Sequence, residues 1–243
     1  MRTLVVLPTY NEALNIEEVL RKVREALPDT GILIVDDDSP DGTADIAESF
    51  SDELGPISVL RRSEKSGLGS AYRAGFRWGI DNGYEIMVEM DSDLSHDPKA
   101  LPELVKPFDD GYELIVGSRY VSGGTIPNWK WHRRLLSRGG NLYAQMALGV
   151  PIKDSTAGYR AYSAKLLDAI DLTTVKADGY GFQIEMTYRS KCLGAKMGEV
   201  PISFRDRERG TSKMSLHITV EALLLVTKWG LERLIGKSPK KKV

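Results

Sequence analysis

Short apolar runs alternate with stretches whose apolar residues recur every three or four positions. Leu4–Leu7, Ile32–Val35, Ile57–Leu60, Ile86–Met90 and Leu114–Val116 have the length and composition of buried strands. Between them, Ala13–Leu27 carries Leu14, Val19, Val23 and Leu27 at helical spacing. Ser70–Ile80, behind a Gly67-Leu68-Gly69 turn, and Pro98–Phe108, opened by proline, read as further helices. Asp41 or Thr43 is placed to cap another that reaches about Leu54. This β-α-β-α order predicts an α/β fold, a mostly parallel sheet with helices on both faces. Past Val116 the pattern loosens. Arg133–Leu148 and Gly181–Leu193 read as helices, and Met197–Phe204 as a strand returning to the sheet or to a small mixed one. With no internal repeat and no low-complexity linker, 1–214 reads as one domain and 215–243 as a terminal appendage.

In an open α/β sheet, ligands bind outside the carboxyl ends of the strands. Four polar loops fall there: Pro8–Glu12, Asp36–Gly42, Asp91–Asp97 and Gly117–Arg119. The most informative is Glu89-Met90-Asp91-Ser92-Asp93-Leu94-Ser95, which puts two carboxylates one residue apart after the run Ile86-Met87-Val88. Two carboxylates held ~5 Å apart repel by roughly 3 kcal/mol at an effective dielectric of ~20. A hard divalent cation removes that cost and can carry phosphate oxygens on its remaining positions. A second acidic strand end, Val35-Asp36-Asp37-Asp38-Ser39-Pro40-Asp41-Gly42, lies upstream. Tyr10 offers a face for a base, and Glu12 and Asp37 offer acceptors for sugar or base-edge protons. Read as plain structure, Pro8–Glu12 is a turn and helix N-terminus with Glu12 favourable to the dipole, and Ser39–Thr43 is a turn plus an N-cap. Gly67 and Gly69 allow close backbone approach. The segment lacks the dinucleotide fingerprint, which argues against a Rossmann cofactor.

Composition adds exclusions. The 243 residues are 42% hydrophobic and 28% charged, as in soluble globular proteins. A net charge of −1 supplies no field for nucleic acid, and no nucleic-acid partner is expected. The single cysteine, Cys192, has no intrachain partner and reads as a small packed residue in a reducing compartment. Thr3–Leu7 is too short for a signal-peptide core, which predicts no leader. Arg119, Arg133, Arg138, Arg160, Arg205, Arg207, Arg209 and Lys213 concentrate cations after the fifth strand.

Taken together, the segments resemble glycosyltransferase family 2 and, within it, the polyprenol (dolichol) phosphate mannose synthases of the soluble type without transmembrane helices. The resemblance runs from Val5 to about Met214. It is carried by Leu7–Glu12, Val35–Thr43, Gly67–Tyr72, Met90–His96, Gly117–Tyr120, Ser137–Asn141, Gly158-Tyr159-Arg160, Gly198–Ile202, Asp206-Arg207 and Ser212-Lys213. The chain departs from it at Ser39, at Ser92, often alanine, and at Ser95, where some members have a glutamine that joins the metal shell. The resemblance implies an A-type, Rossmann-like glycosyltransferase fold. It implies Mg²⁺ or Mn²⁺ on Asp91 and Asp93, with Ser95 or water in the glutamine's place. It implies donor contacts from Pro8, Tyr10, Glu12, Val35, Asp37, Asp91, Ser92 and Asp93. Arg207 and Lys213, on a loop containing Gly210 that could close as a lid, would neutralise the donor pyrophosphate. Arg119 and Arg133, with Ser137, would grip an acceptor phosphate through forked hydrogen bonds. GDP-mannose is the implied donor and a polyprenyl phosphate the implied acceptor. That acceptor is already an anion, so one in-line displacement with inversion needs no strong general base. Asp91, Asp93 and Arg119 are the catalytic set this reading commits to.

The last apolar segment, Ser215–Ile235, is interrupted by His217, Glu221, Lys228, Glu232 and Arg233, whereas a spanning helix needs ~20 mostly apolar residues. Helical spacing gathers Leu216, Val220, Leu223, Leu224, Leu231, Leu234 and Ile235 on one face, with Glu221, Lys228 and Glu232 opposite. With Trp229 and the lysine tail Lys237, Lys240, Lys241 and Lys242, this predicts peripheral attachment at the cytoplasmic face of a membrane, alone or beside a membrane-anchored partner protein. Rival readings are a polyprenyl-phosphate glucosyltransferase using UDP-glucose, an aspartyl-nucleophile phosphohydrolase and a receiver-type signalling domain. The phosphohydrolase motif normally follows the first strand; here it follows the fourth. A receiver domain would leave about 120 residues unaccounted for.

Overall fold

The computed structural model describes residues 1–205, 216–237 and 239, without the side chains of 216–219. Among the described residues, seven strands form one sheet in the order β3-β2-β1-β4-β6-β5-β7. These are β1 Thr3–Thr9, β2 Gly31–Asp36, β3 Ile57–Arg61, β4 Ile86–Glu89, β5 Leu114–Ser118, β6 Arg160–Ser163 and β7 Met197–Pro201. β1 to β4 are parallel, and β7 is parallel to β5. β6 runs antiparallel between β4 and β5. The helices are α1 Ile16–Ala26, α2 Thr43–Ser49, the short α3 Ser51–Leu54, α4 Leu68–Asp81, α5 Leu101–Val105, α6 Trp131–Leu148, α7 Ala164–Ile170, α8 Gly179–Cys192 and α9 Leu216–Leu234.

Side chains alternate across the sheet as a strand's period of two requires. Leu4, Val6, Leu33, Val35 and Met87 pack under α4, α7 and α8, against Tyr72, Phe76, Leu167 and Phe182. Val5, Leu7, Ile32, Ile34 and Val88 pack against Val19, Leu20 and Val23 of α1 and Leu104 of α5. Two glycines bring α4 onto the sheet: a Cβ at Gly75 would lie 2.5 Å from Val6 Cγ1, and one at Gly79 2.9 Å from Leu4 Cδ2. A third cluster, with Ala144, Leu148, Ile184, Tyr188, Ala222 and Val226, joins α6, α8 and α9. α8 is therefore covered on both sides, which is why its buried positions follow no single stripe.

Several elements differ from the expectation. The first helix starts at Ile16, so Leu14 lies before it and is exposed. The span Pro98–Phe108 is one turn of α-helix, α5, between two 3₁₀ turns, and prolines 102 and 107 explain the breaks. β7 ends at Pro201 and joins the main sheet at its edge. β6 and α7 carry no strong periodic signal and were not expected.

Register sets the functional edge. Thr9 pairs with Asp36, Asp36 with Arg61, and Val6 with Glu89. The loops after β1, β2, β3 and β4 therefore leave the sheet side by side.

Candidate active site

The acidic loop is built from its backbone outward. Leu94 adopts a left-handed φ of 63°, which turns the chain so that the Ser95 N–H donates to Asp93 Oδ1 at 2.9 Å. Ser92 Oγ donates to the Pro8 carbonyl at 2.8 Å, tying this loop to the end of β1. Tyr72, buried in α4, donates its hydroxyl to Asp91 Oδ1 at 3.2 Å. The Asp91 N–H donates to His96 Nδ1 at 3.1 Å, and the His96 ring stacks on Tyr159 at a centroid distance of 4.8 Å. Asp91 keeps 31% of its side chain exposed, while Asp93, Ser92 and Ser95 are nearly covered. Two hard carboxylates, Asp91 partly exposed and Asp93 beside it, are of a chemistry that would suit a divalent ion. Among the described residues no third His, Cys, Asp or Glu joins them as a cluster.

Behind the loop, Glu89 is fully buried, and its Oε2 accepts from Gln183 Nε2 of α8 at 2.7 Å. Burial pushes its carboxyl up to about 8, against the pull of Arg160 and of the Gln183 hydrogen bond. The Tyr72 phenol is raised well above its ordinary value by burial first and then by Asp91 and Glu89, so it stays a hydrogen-bond donor.

The neighbouring loops offer a second set of groups. Asp36 is structural: it accepts from Thr9 Oγ1 at 2.7 Å and from the Ser39 N–H at 2.9 Å. Asp37, 6% exposed, faces Arg62 from the end of β3, with Oδ1 and Nη1 2.9 Å apart. The two atoms are out of hydrogen-bond alignment and closed to solvent, and they meet as an ion pair. Burial raises the Asp37 carboxyl against the opposing charge of Arg62. The Lys65 ammonium lies 3.9 Å from the centre of the Tyr10 ring. Glu12 Oε2 accepts from Asn15 Nδ2 at 2.8 Å, and its N–H donates to Thr43 Oγ1 at 3.0 Å. The Val35 side chain lies in the core against Gly75, which leaves only its backbone for a ligand. The close approach at Gly67 and Gly69 comes from the protein itself. Asp178 Oδ1 accepts from the Gly69 N–H, and a Cβ at Gly67 would collide with Asp178 Oδ2.

The arginine cluster stands at the end of β5 and on α6. Arg119 is 7% exposed and forks onto Asp154, with Nε to Oδ2 at 2.7 Å and Nη2 to Oδ1 at 2.6 Å. Arg133 lies over Trp129 at 3.8 Å from the ring centre, and the Arg119 guanidinium lies 5.4 Å from the same ring. The Tyr120 hydroxyl donates to Ser137 Oγ at 2.6 Å. Burial raises the Tyr180 phenol while Arg119 and Arg133 pull it down, which puts that hydroxyl in the field of the same cluster. The fold thus brings Arg119, Arg133 and Ser137 together. Arg207 and Lys213 lie outside the described residues. Sequence reasoning missed Tyr72, His96, Arg62, Trp129 and Asp154. Tyr72 and His96 stood inside matching segments without an assigned role; Arg62, Trp129 and Asp154 lay outside every segment singled out.

The sequence profile described as "Glycosyl transferase family 2" matches residues 4–171. The undecaprenyl-phosphate mannosyltransferase of Micrococcus luteus is 48% identical over 231 residues, covering 95% of each chain. The polyprenol monophosphomannose synthase of Mycolicibacterium smegmatis is 48% identical over 231 residues, 95% of this chain and 87% of its own. A dolichol-phosphate mannosyltransferase of Pyrococcus furiosus is 36% identical over 218 residues, 88% of this chain and 59% of its own. The crystal structure of glucosyl-3-phosphoglycerate synthase from Mycobacterium tuberculosis, in complex with Mn²⁺, UDP-glucose and glycerol 3-phosphate, matches with a TM-score of 0.65 at 21% identity, covering 98% of this chain and 80% of that one. That last likeness is one of fold, the A-type glycosyltransferase architecture. The chain belongs to glycosyl transferase family 2.

Proposed function

We propose that the protein transfers mannose from GDP-mannose to a polyprenyl monophosphate, with inversion at the anomeric carbon and release of GDP. The observation that carries this reading is one sheet edge that holds both the Asp91–Asp93 loop after β4 and the Arg119–Arg133–Ser137 cluster after β5. The two relatives at 48% identity, named for mannosyl transfer to polyprenyl carriers, support the substrate class.

In this reading Tyr10 stacks on the base, and Asp37 with Arg62 meets its edge. Asp91 and Asp93 hold Mg²⁺ or Mn²⁺. When bound, the ion neutralises charge on the departing nucleoside diphosphate. Tyr72 and the Ser95 N–H fix the two carboxylates before donor arrives. Arg119, Arg133 and Ser137 orient the acceptor phosphate, whose own oxygen is the nucleophile, so no side chain need remove a proton. Arg207 and Lys213 are the cations this reading assigns to the donor pyrophosphate.

The acceptor's lipid requires a membrane surface. α9 packs on α6 and α8 through Ala222, Val226 and Gly230, a face the apolar spacing did not single out. Its leucine face stays outside: Leu224, Leu231 and Leu234 are 60–81% exposed. The Tyr143 hydroxyl and Thr227 Oγ1, 2.7 Å apart, join that face to α6, where Leu135, Leu142 and Met146 are also exposed. Among the described residues no helix is long and apolar enough to cross a membrane. The exposed apolar residues of α6 and α9 support peripheral attachment to a membrane surface, which this reading assigns to the cytoplasmic leaflet.

A donor screen tests the reading. Nucleotide release should require both GDP-mannose and polyprenyl phosphate. Preferential use of UDP-glucose, or release indifferent to the acceptor, would overturn it.

A further inference from the structure

We propose that Asp154 is a positioning residue for transfer: it sets which edge of Arg119 faces the acceptor phosphate. The proposal rests on the reading that Arg119 binds that phosphate.

Asp154 is fully buried and takes three N–H groups from one residue. Its Oδ2 accepts from the Arg119 backbone N–H at 2.9 Å and from Nε at 2.7 Å, and its Oδ1 accepts from Nη2 at 2.6 Å. Thr156 Oγ1 takes a further bond from Nη2 at 2.9 Å. The Nε–Nη2 edge of the guanidinium is thus spent on the protein, and the Nη1 group is left for a ligand. The rings of Trp129, Tyr120 and Phe204 stand 5.4–5.5 Å from the guanidinium carbon and limit its rotation. A free arginine would have to be ordered each time acceptor binds; this one is ordered in advance. Asp154 also offsets the Arg119 charge.

The turn carrying Asp154 is itself held from two sides. Glu199 of β7 accepts the N–H groups of Lys153 and Asp154 at 2.9 and 3.1 Å. Arg160, fully buried, donates to the carbonyls of Ser155 at 2.7 Å and Ala157 at 2.6 Å, while its other bonds reach Gln183 and Thr187 of α8. Asn141 of α6 exchanges bonds with Thr156 and also donates to the Ser137 carbonyl, linking the turn to the helix that carries Ser137 and Arg133. Gly158-Tyr159-Arg160 and Gly198-Glu199, which carried resemblance but no assigned role, are the two brackets of this turn.

The test compares Asp154→Asn, Thr156→Val and Arg119→Ala in the full-length protein. It measures acceptor KM, kcat and GDP affinity, with melting temperature as the check on folding. Asp154→Asn keeps the shape and removes the charge. It should lower kcat/KM for polyprenyl phosphate about tenfold or more, mainly through KM, with GDP affinity unchanged. Thr156→Val should show the same split, more weakly, and decides the matter if Asp154→Asn does not fold. In the Arg119→Ala background neither substitution should cost anything further, because both act through Arg119. If Arg119→Ala raises acceptor KM and the other two do not, or if their losses add to it, the positioning role is overturned while the acceptor site stands. If Arg119→Ala itself leaves acceptor KM unchanged, the acceptor reading has failed. An equal fall in acceptor use and GDP affinity would mark Asp154 as a general structural residue and overturn the proposal.

Discussion

At the scale of single residues, the account rests on charges placed at strand ends. Asp91→Asn or Asp93→Asn should abolish transfer with the melting temperature retained, and excess EDTA should do the same to the unaltered protein; activity persisting in either case would remove the metal from the mechanism. Arg133→Ala should raise acceptor KM about tenfold or more and leave GDP affinity alone, since a charge-assisted hydrogen bond is worth about 1.5–3 kcal/mol. Glu89 gives a prediction about pH. Its carboxyl rises from an ordinary 4.5 to about 8 in the fold. The folded state therefore holds a proton that the unfolded chain releases, so this group's contribution to stability is fully present below pH 4.5 and is lost as pH rises toward about 8. Glu89→Gln removes that loss, on the order of 3 kcal/mol at neutral pH. Its melting temperature should exceed the parent's at pH 8 and match it near pH 5; the reverse order would mean that Glu89 is ionised in the fold. Asp91, Asp93 and Asp37 were legible because carboxylates crowd there against electrostatic cost. Glu89 stands in the same run, but its burial is a property of β6 and α8 closing over it, which no local pattern announces.

At the scale of elements, the parallel half of the sheet follows from apolar runs and amphipathic spacing, and those runs place the Asp91 loop correctly. β6 was not legible, because Arg160-Ala161-Tyr162-Ser163 has a charged residue at a fully buried position. That arginine is tolerated because its donors meet the carbonyls of Ala157, Ser155 and Gln183 and the Thr187 hydroxyl. The fit of α4 was hidden for the opposite reason, since glycines mark absent side chains. Gly75→Ala places a methyl 2.5 Å from Val6 Cγ1 and should destabilise by about 1–3 kcal/mol, read as a lower denaturant midpoint at unchanged slope. An unchanged midpoint would show that α4 can move away from the sheet. The arginines of α6 were singled out by resemblance. Their shelf, Trp129, comes from the loop before α6 and meets Phe204, far away in the chain, edge to face.

At the scale of the whole molecule, the active edge and the exposed α6–α9 surface have to serve one lipid-borne acceptor. Deleting α9 would uncover Ile184 and Tyr188, so point changes are the cleaner test. Replacing Leu224, Leu231 and Leu234 together with glutamine should weaken binding to anionic liposomes and activity on long-chain acceptors, while sparing a short soluble acceptor and the melting temperature. Unchanged liposome binding would assign this face to another contact. The central claim is the reaction itself. Its most direct test is the fate of labelled mannose supplied as GDP-mannose with polyprenyl phosphate and Mg²⁺ or Mn²⁺. The account predicts label in the lipid phase as a β-linked mannosyl phosphate, formed with one GDP per mannose. An α-linked product, or label that stays in water while GDP is released, would contradict it.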